Sequence, residues 1–293
     1  MISIILPCFN EQDSIKDYIE AVNTNLNKLK FEYEIIVVND GSTDKSVDKI
    51  KETQAKLISH PQNLGYGAAL KSGIKYAKYD TIIMTDPDGT YPAEHMKELI
   101  EIYFNSAKNS LCLDMVIGAR KGKVYDGSLI KFFMRKILKF LVEWTTGTKI
   151  IDINSGMRIF SKKTINSFLP QLCNTFSFST SLTLAYFLTG KFVRYHPIKY
   201  HVRAGKSHVK IFRDSLRTLQ YIVEAIIYYN PLKLTLLISS FFFLISFLLG
   251  VLFLIKKSTA ILILACLSIL ITFISIFFGF LMDLLRQTFN KTK

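Results

Sequence analysis

The fold can be predicted outward from one short stretch, Thr81-Ile82-Ile83-Met84-Thr85-Asp86-Pro87-Asp88. Its apolar run is too short for a helix and ends in a polar turn, which is typical of a buried parallel strand. Comparable runs occupy residues 2–6, 34–38, 56–59 and 115–118. The first part of the chain therefore predicts a sheet of buried strands.

The segments between these strands have the spacing of helices. Over residues 11–29, apolar side chains recur at three- and four-residue intervals, which indicates a helix with one buried side. A second helix is predicted from a cap at Thr43 or Asp44 to about residue 53, and a third over 67–77. This alternation predicts an α/β fold with a mostly parallel, Rossmann-like sheet and helices on both faces.

Polar residues follow the predicted strands at the edge where parallel α/β sheets bind ligands. Asp86 and Asp88 lie one residue apart after a buried strand, and paired carboxylates suit Mg²⁺ or Mn²⁺. Aspartate is also common in turns, so the preceding strand is what favours a metal site. Asp40 is predicted to accept hydrogen bonds from a nucleobase or ribose, to stabilise a helix-capping turn, or to do both. The glycine-containing turn at 63–71 allows a close approach to a phosphate, but it lacks a Walker pattern.

The second part of the chain predicts contact with a membrane. The pattern of basic and apolar residues predicts two amphipathic helices, over 128–144 and 209–229. Such helices either pack on the domain or lie in a membrane interface. Residues 232–255 and 259–282 are almost free of charge and long enough to span a bilayer. We expect a transmembrane hairpin over 232–285, with a short tail at 286–293.

Charge and cysteine content fit this interpretation. The net charge of +14 suits an anionic lipid surface, a phosphorylated substrate or nucleic acid, and its clustering in amphipathic and juxtamembrane segments favours lipid over nucleic acid. Basic residues dominate beside the ends of the hairpin, although Lys256 and Lys257 in its loop oppose this pattern. The positive-inside rule then predicts a cytoplasmic domain at 1–208, anchored in the inner membrane.

The four cysteines show no metal-ligand spacing and predict reduced, buried thiols. No secretory signal is predicted at the start of the sequence.

Taken together, the motifs resemble glycosyltransferase family 2, the inverting group with the GT-A fold. The resemblance covers about residues 1–215 and is closest to the polyprenyl-phosphate branch, which includes dolichol-phosphate mannosyltransferases and undecaprenyl-phosphate glucosyltransferases. The bacterial members with two spans also match the hairpin. The resemblance is carried by these segments: Ile5-Leu6-Pro7-Cys8-Phe9-Asn10-Glu11, Val37-Val38-Asn39-Asp40-Gly41-Ser42-Thr43-Asp44, Asn63-Leu64-Gly65-Tyr66-Gly67-Ala68-Ala69, Asp86-Pro87-Asp88, Asn154-Ser155-Gly156-Met157-Arg158-Ile159-Phe160 and Arg203-Ala204-Gly205-Lys206-Ser207.

The resemblance implies a role for each group of residues. The base and ribose of a nucleotide-sugar would be held by Pro7, Phe9, Glu11 and Asp40. Asp86 and Asp88 would bind Mg²⁺ or Mn²⁺ and the donor diphosphate. The phosphate of a polyprenyl acceptor would meet Arg120, with Lys131 or Arg135, Arg203 and Lys206. Asp86, Asp88 and Arg120 are thus the predicted catalytic residues, and relatives with two spans make a homo-oligomer a reasonable expectation.

Three departures from the family pattern weaken any transfer of mannose specificity. Thr90 stands where relatives often have Gln, Phe178-Ser179-Thr180 replaces an acidic segment, and His208 stands where Lys is common. Other functions stay open: a transferase acting on another glycan or a protein, or a non-catalytic membrane scaffold. A processive polysaccharide synthase is disfavoured because the chain lacks a Q-x-x-R-W segment.

Overall fold

The structure is a computed structural model that describes residues 1–29, 31–108, 112–121, 129–201 and 211–291. The chain divides into two units, Met1–Ile222 and Val223–Lys293. The strands are β1 (Ile2–Cys8), β2 (Tyr33–Asn39), β3 (Lys56–Ser59), β4 (Thr81–Met84), β5 (Met115–Lys121), β6 (Arg158–Ser161) and β7 (Val193–Lys199). The helices are α1 (Ile15–Leu26), α2 (Ser46–Lys51), α3 (Tyr66–Tyr76), α4 (His95–Lys108), α5 (Leu129–Thr146), α6 (Lys162–Asn166), α7 (Phe178–Leu188), α8 (Ile211–Tyr229), α9 (Pro231–Lys256) and α10 (Thr259–Lys291).

The first unit is built on one seven-stranded sheet with the order β3-β2-β1-β4-β6-β5-β7. Every pairing is parallel except those of β6, which runs antiparallel to both β4 and β5. The predicted fold class, an α/β domain on a mostly parallel sheet, is confirmed. The five strands predicted from sequence are all present, and β6 and β7 are additions.

Alternate residues of β1 face helices on opposite sides of the sheet, because successive side chains of a strand point to opposite faces. Ile4 and Leu6 join the buried cluster that contains the apolar sides of α1 and α4. Ile5 points the other way, and a Cβ on Gly73 of α3 would collide with its side chain. The strand is therefore buried on both faces, as its continuous apolar sequence predicts.

The first predicted helix starts later than expected. It begins at Ile15 instead of residue 11 because Asn10 has a left-handed φ of 56°. The backbone N–H groups of residues 10–12 instead donate to side chains of the β2–α2 loop, namely Ser42, Ser46 and Asp44. The second helix also starts late, at Ser46, whose N–H donates to the Asp44 carboxylate. These contacts join the two loops at the carboxyl ends of β1 and β2.

The prediction that all cysteines are buried was wrong for two of the four. Cys8 and Cys173 are buried, whereas Cys112 and Cys266 are exposed, and all four are free thiols. Cys112 lies in the segment that leads into β5, and Cys266 lies on an outer side of α10. Burial in an apolar run was inferred for Cys266 from composition, but only one side of a hairpin helix packs on its neighbour.

The second unit contains a helical hairpin with an apolar outside and a polar inside. Both α9 and α10 are long and apolar enough to cross a membrane, and only 11% and 17% of their most apolar windows are buried. Phenylalanine and leucine side chains cover the outside, while Thr235, Ser239, Ser246, Ser268 and Thr272 are buried. α10 continues beyond the predicted residue 282 to Lys291, because polar residues such as Asp283 and Arg286 pair within the helix.

Candidate active site

The loops after β1 and β2 bring the first predicted binding residues together. Pro7 is buried inside β1 beside Val38 of β2, and Phe9 and Glu11 follow it in half-buried positions. The Glu11 N–H donates to Ser46 Oγ at 2.8 Å, which fixes its backbone. Burial raises the pKa of the Cys8 thiol to about 12, so this cysteine at the strand end stays protonated.

Asp40 organises the turn that precedes α3. Its Oδ1 accepts from the Leu64 N–H at 2.9 Å and lies 2.7 Å from His60 Nδ1, and its Oδ2 accepts from the Gly65 N–H at 2.8 Å. The residue is 3% exposed. A carboxylate has about four acceptor sites, so three protein partners leave room for one donor from a ligand. Among the described contacts, Asp40 caps neither α2 nor α3; it holds the backbone turn at Leu64 and Gly65 before α3 and keeps room for a ligand contact.

Asp88 lies in a closed turn directly after β4. Its Oδ1 accepts from the Thr90 N–H at 3.1 Å and from Thr90 Oγ1 at 2.5 Å, and the Asp88 side chain is buried. The Thr90 carbonyl in turn accepts from the His201 N–H at 3.0 Å. Thr90, which departs from the family pattern, therefore supports Asp88 through its hydroxyl.

Asp86 is held between a tyrosine hydroxyl and a glycine. Tyr66 Oη donates to Asp86 Oδ1 at 2.7 Å. A Cβ on Gly156 would lie 2.5 Å from Asp86 Oδ2, so only glycine leaves space for this carboxylate. Burial, and then the Asp86 charge, raise the pKa of Tyr66 well above its usual value, so the hydroxyl keeps its proton and donates.

The Asp86 and Asp88 carboxylates fit a divalent cation whose remaining ligands come from the enzyme's substrate. Among the described residues, no group of three or more His, Cys, Asp or Glu side chains is placed to hold a metal. Mg²⁺ commonly takes one or two protein carboxylates and completes its shell with water and substrate phosphates. The glycine space beside Asp86 and the oxygen-only donors suit that arrangement.

A chain of contacts joins the Asp86 turn to Arg120 at the end of β5. The Gly156 N–H donates to Tyr91 Oη at 2.7 Å, and the Tyr91 ring meets the Tyr200 ring edge-on, with their centroids 5.2 Å apart. The Arg120 guanidinium lies over the Tyr200 ring, 5.4 Å from its centroid. Residues that follow β4 and β7 are thus linked by contacts to the end of β5.

Arg120 forms a bidentate salt bridge with Asp152. Its Nε and Nη2 donate to the two Asp152 carboxylate oxygens at 2.8 Å each, and its backbone N–H donates to Oδ2 at 3.1 Å. Burial alone would raise the pKa of Asp152, but the hydrogen bonds and charge of Arg120 outweigh it and hold that pKa below 3.8. Asp152 therefore stays ionised and fixes the orientation of Arg120.

Arg158, in the Ser155-Gly156-Met157-Arg158 segment, is a structural cation inside the domain. It is fully buried, and it donates to the carbonyls of Ser155 and Ile153 and to Thr183 Oγ1. These bonds hold the segment 153–156, which includes Gly156. The buried hydroxyl residues of α7, where the acidic segment of relatives is absent, supply one of these partners.

Four predicted acceptor residues are not covered by the described part of the structure. Arg203 and Lys206 lie outside the described residues, as does His208, and the side chains of Lys131 and Arg135 in α5 lie outside them as well. The structure adds residues that the sequence did not single out: Tyr66, Tyr91, Asp152, Gly156 and Tyr200. Tyr66 and Gly156 stand inside the quoted motifs, but only their contacts reveal a role.

Comparison with known proteins identifies a family. Residues 3–168 match the family described as "Glycosyl transferase family 2". One relative is the undecaprenyl-phosphate 4-deoxy-4-formamido-L-arabinose transferase of Pseudomonas fluorescens, 27% identical over 61% of this chain and 55% of that protein. Another is the dolichyl-phosphate beta-glucosyltransferase of Dictyostelium discoideum, 30% identical over 58% of this chain and 57% of that protein. The chain spans about half the length of these curated relatives.

Solved structures share the fold. Glucosyl-3-phosphoglycerate synthase from Mycobacterium tuberculosis, in complex with Mn²⁺, UDP-glucose and phosphoglyceric acid, aligns with a TM-score of 0.62 and 16% identity, covering 77% of this chain and 79% of that one. At this identity the likeness concerns the fold alone. The family match covers more than half of the chain, and this protein therefore belongs to glycosyl transferase family 2.

Proposed function

We propose that this protein transfers one hexose from a UDP- or GDP-sugar to a polyprenyl phosphate, with inversion at the anomeric carbon. The observation that carries the proposal is the contact chain from Asp86 through Gly156, Tyr91 and Tyr200 to Arg120. It joins Asp86, one of the two carboxylates suited to a metal–diphosphate, with a cation suited to a phosphate. The names of the two relatives above support a polyprenyl-phosphate acceptor.

The donor would lie along the strand ends. Pro7, Phe9, Glu11 and Asp40 would bind the base and ribose, and Asp86 and Asp88 would hold a divalent cation. The cation, Mg²⁺ or Mn²⁺, would offset the charge that develops on the departing nucleoside diphosphate. Solved structures with this fold that contain UDP with Mn²⁺ or Mg²⁺ support this assignment.

The acceptor chemistry needs positioning more than proton removal. A phosphate monoester has a second pKa of about 6, so most of it carries an anionic oxygen at neutral pH. That oxygen forms the new bond to the anomeric carbon as the bond from this carbon to the diphosphate oxygen breaks. Arg120, held by Asp152, would orient the acceptor phosphate, with Lys131 or Arg135, Arg203 and Lys206 as further cations.

The membrane hairpin would bring the site to its lipid substrate. Two apolar helices with buried hydroxyls and exposed phenylalanines support membrane association. The charge distribution favours a domain on the cytoplasmic face of the inner membrane. The oligomeric state, for which we propose a homo-oligomer, can be measured on the detergent-solubilised protein by light scattering.

A donor screen tests the proposed reaction. Purified protein in detergent, with undecaprenyl phosphate and Mg²⁺ or Mn²⁺, is offered UDP- and GDP-sugars one at a time, and lipid products are detected by mass spectrometry. We expect one donor to give a polyprenyl-phosphate hexose, and EDTA to abolish it. Nucleotide-sugar binding without a lipid product would favour a glycan or protein acceptor, and the absence of binding would favour a scaffold.

The proposed sidedness can be tested through Cys112, which is exposed in the first unit. A membrane-impermeant maleimide should label it in inside-out vesicles and leave it unlabelled in right-side-out vesicles. Cys112→Ser is the control for labelling at the other thiols, since Cys8 and Cys173 are buried and Cys266, which is exposed, lies within the apolar helix α10. Labelling of Cys112 from the outer face would contradict a cytoplasmic domain.

A further inference from the structure

Tyr66 is placed to control how the Asp86 carboxylate is oriented. Its hydroxyl donates to Asp86 Oδ1 at 2.7 Å, while the Gly156 backbone lies against Oδ2. A carboxylate held at one oxygen by a donor and bounded by backbone at the other has little freedom to rotate. The orientation of Asp86 is therefore set before any cation arrives, which is the condition for a preorganised site.

The Tyr66 ring is itself fixed from two directions. It stacks on Phe176, with ring centroids 5.9 Å apart and planes inclined by 17°. The turn before it is tied to Asp40 through the N–H groups of Leu64 and Gly65.

The backbone around Tyr66 packs against the segment that carries Phe176. A Cβ on Gly65 or Gly67 would collide with the carbonyl oxygens of Asn174 or Cys173, and the Ala68 N–H donates to the Asn174 carbonyl at 3.0 Å. Gly65 has a φ of 106°, which side chains rarely allow. The turn has little room to move, so Tyr66 acts from a rigid base.

We propose that Tyr66 is a positioning residue that orients Asp86 for the metal–diphosphate, with Phe176 supporting its ring. The same turn links Asp40 to Asp86, so the nucleoside end and the diphosphate end of the donor site share one support. This inference rests on the proposed function, because it assumes that Asp86 binds a divalent cation with a nucleoside diphosphate.

The test compares Tyr66→Phe with wild-type protein in detergent, using Mn²⁺ and UDP or GDP as probes. Mn²⁺ binding is followed by electron paramagnetic resonance in the presence of the nucleotide, and nucleotide binding is measured separately in EDTA. Loss of one hydrogen bond to a carboxylate should weaken Mn²⁺ binding about tenfold. Nucleotide binding in EDTA should stay within about twofold of wild type, because no base or ribose contact is assigned to Tyr66.

Tyr76→Phe is the matched control, since Tyr76 lies in the same helix and is 55% exposed. It should leave both measurements unchanged. Unaltered Mn²⁺ affinity in Tyr66→Phe, or an equal loss of nucleotide binding in EDTA, would overturn the positioning role. If wild-type protein fails to bind Mn²⁺ in the presence of either UDP or GDP, the result would contradict the proposed function itself, and this inference with it.

A second variant, Phe176→Ala, removes the half-exposed ring that stacks on Tyr66 and so tests whether this stack supports Tyr66. It should weaken Mn²⁺ binding about threefold in wild-type protein and have no effect in Tyr66→Phe, because coupled residues are not additive. An equal loss in both backgrounds would contradict the supporting role of Phe176. Turnover provides the final readout: Tyr66→Phe should raise the metal concentration needed for half-maximal rate more than it lowers the rate at saturating metal.

Discussion

The sheet domain and the hairpin bury polar side chains for different purposes. In the domain, buried charges bind loop backbone, as Asp40 and Arg158 do, or an opposite charge, as Asp152 does with Arg120. In the hairpin, the buried polar groups are hydroxyls that bond backbone carbonyls, as Ser246 does with the Ala265 carbonyl of the neighbouring helix at 2.9 Å. Among the described residues, most of the exposed large apolar side chains lie on the hairpin, and many of them are phenylalanine and leucine.

This difference separates chemistry from anchoring. Charged groups are costly to bury, so their concentration at one sheet edge marks the part of the molecule where a ligand's charges are to be met. Neutral hydroxyls and glycine between two apolar helices are what close packing in lipid requires. We therefore expect changes at the sheet edge to remove activity without loss of membrane insertion, and changes inside the hairpin to reduce stability first.

Asp88→Ala should have the greatest effect of the variants considered. Removal of this carboxylate should lower turnover at least about 1,000-fold, because stabilisation of the leaving diphosphate is lost. The protein should still insert in membranes, since Asp88 contacts the Thr90 turn within the sheet domain. Transfer of radiolabelled sugar to undecaprenyl phosphate measures the loss, with Asp17→Ala, an exposed acid of α1, as the control. Near-wild-type turnover in Asp88→Ala would refute the metal assignment.

A smaller loss is expected from Asp152→Asn. Without the partner charge, Arg120 loses its two-point contact, and a misplaced positioning group costs about 100-fold in rate. The KM for the lipid acceptor should rise while donor binding is unchanged. Asp114→Asn, in a half-exposed pair with Lys191 before β5, provides a control with a similar change of charge. An unchanged acceptor KM in Asp152→Asn would remove Arg120 from the acceptor site.

The hairpin has its own matched pair of glycines. In Gly279→Ala the new methyl would collide with Thr235 Oγ1, so the helices must separate, at a cost of about 1–3 kcal/mol. In Gly250→Ala no described atom of a neighbouring segment lies within 4 Å of the methyl, and helix propensity favours alanine by up to about 1 kcal/mol. Thermal unfolding in detergent should show a lower Tm for the first and an equal or higher Tm for the second. Equal shifts in both would contradict the packing described.

The smallest effect concerns pH. The pKa of Asp152 lies below its usual 3.8, so its ion pair contributes stability above that pH and loses it as pH falls through the lowered pKa. The difference in Tm between wild type and Asp152→Asn should therefore be constant above about pH 5 and shrink below about pH 4. A difference that persists unchanged to about pH 3 would mean that the Asp152 charge is not the stabilising element.

The sequence predicted the strands that are buried on both faces, because short continuous apolar runs bounded by turn residues are typical of such strands. It did not predict β6, since Arg158 stands at its start and a buried arginine bound by carbonyls leaves no pattern in the sequence. It also missed β7, an edge strand in which charged residues and Pro197 interrupt the apolar pattern.

The candidate site was predicted in part for the same physical reason. Asp40, Asp86 and Asp88 follow strands, and a strand end is readable from sequence. The support of these residues depends on contacts between distant segments, such as Tyr66 with Asp86 and Arg120 with Asp152. Those contacts depend on how closely a side chain can approach a distant backbone segment, as Asp86 does at Gly156, which only the folded structure reveals.

The identity of the acceptor separates this proposal from its alternatives, since we propose that the phosphate of a membrane lipid accepts the sugar. The decisive measurement offers the best donor to the wild-type protein with three acceptors in parallel: undecaprenyl phosphate, undecaprenol and 3-phosphoglycerate. We expect a metal-dependent hexosyl product with undecaprenyl phosphate alone, and a far smaller yield in Asp88→Ala. Transfer to 3-phosphoglycerate at an equal or higher rate, with none to undecaprenyl phosphate, would contradict the proposed function.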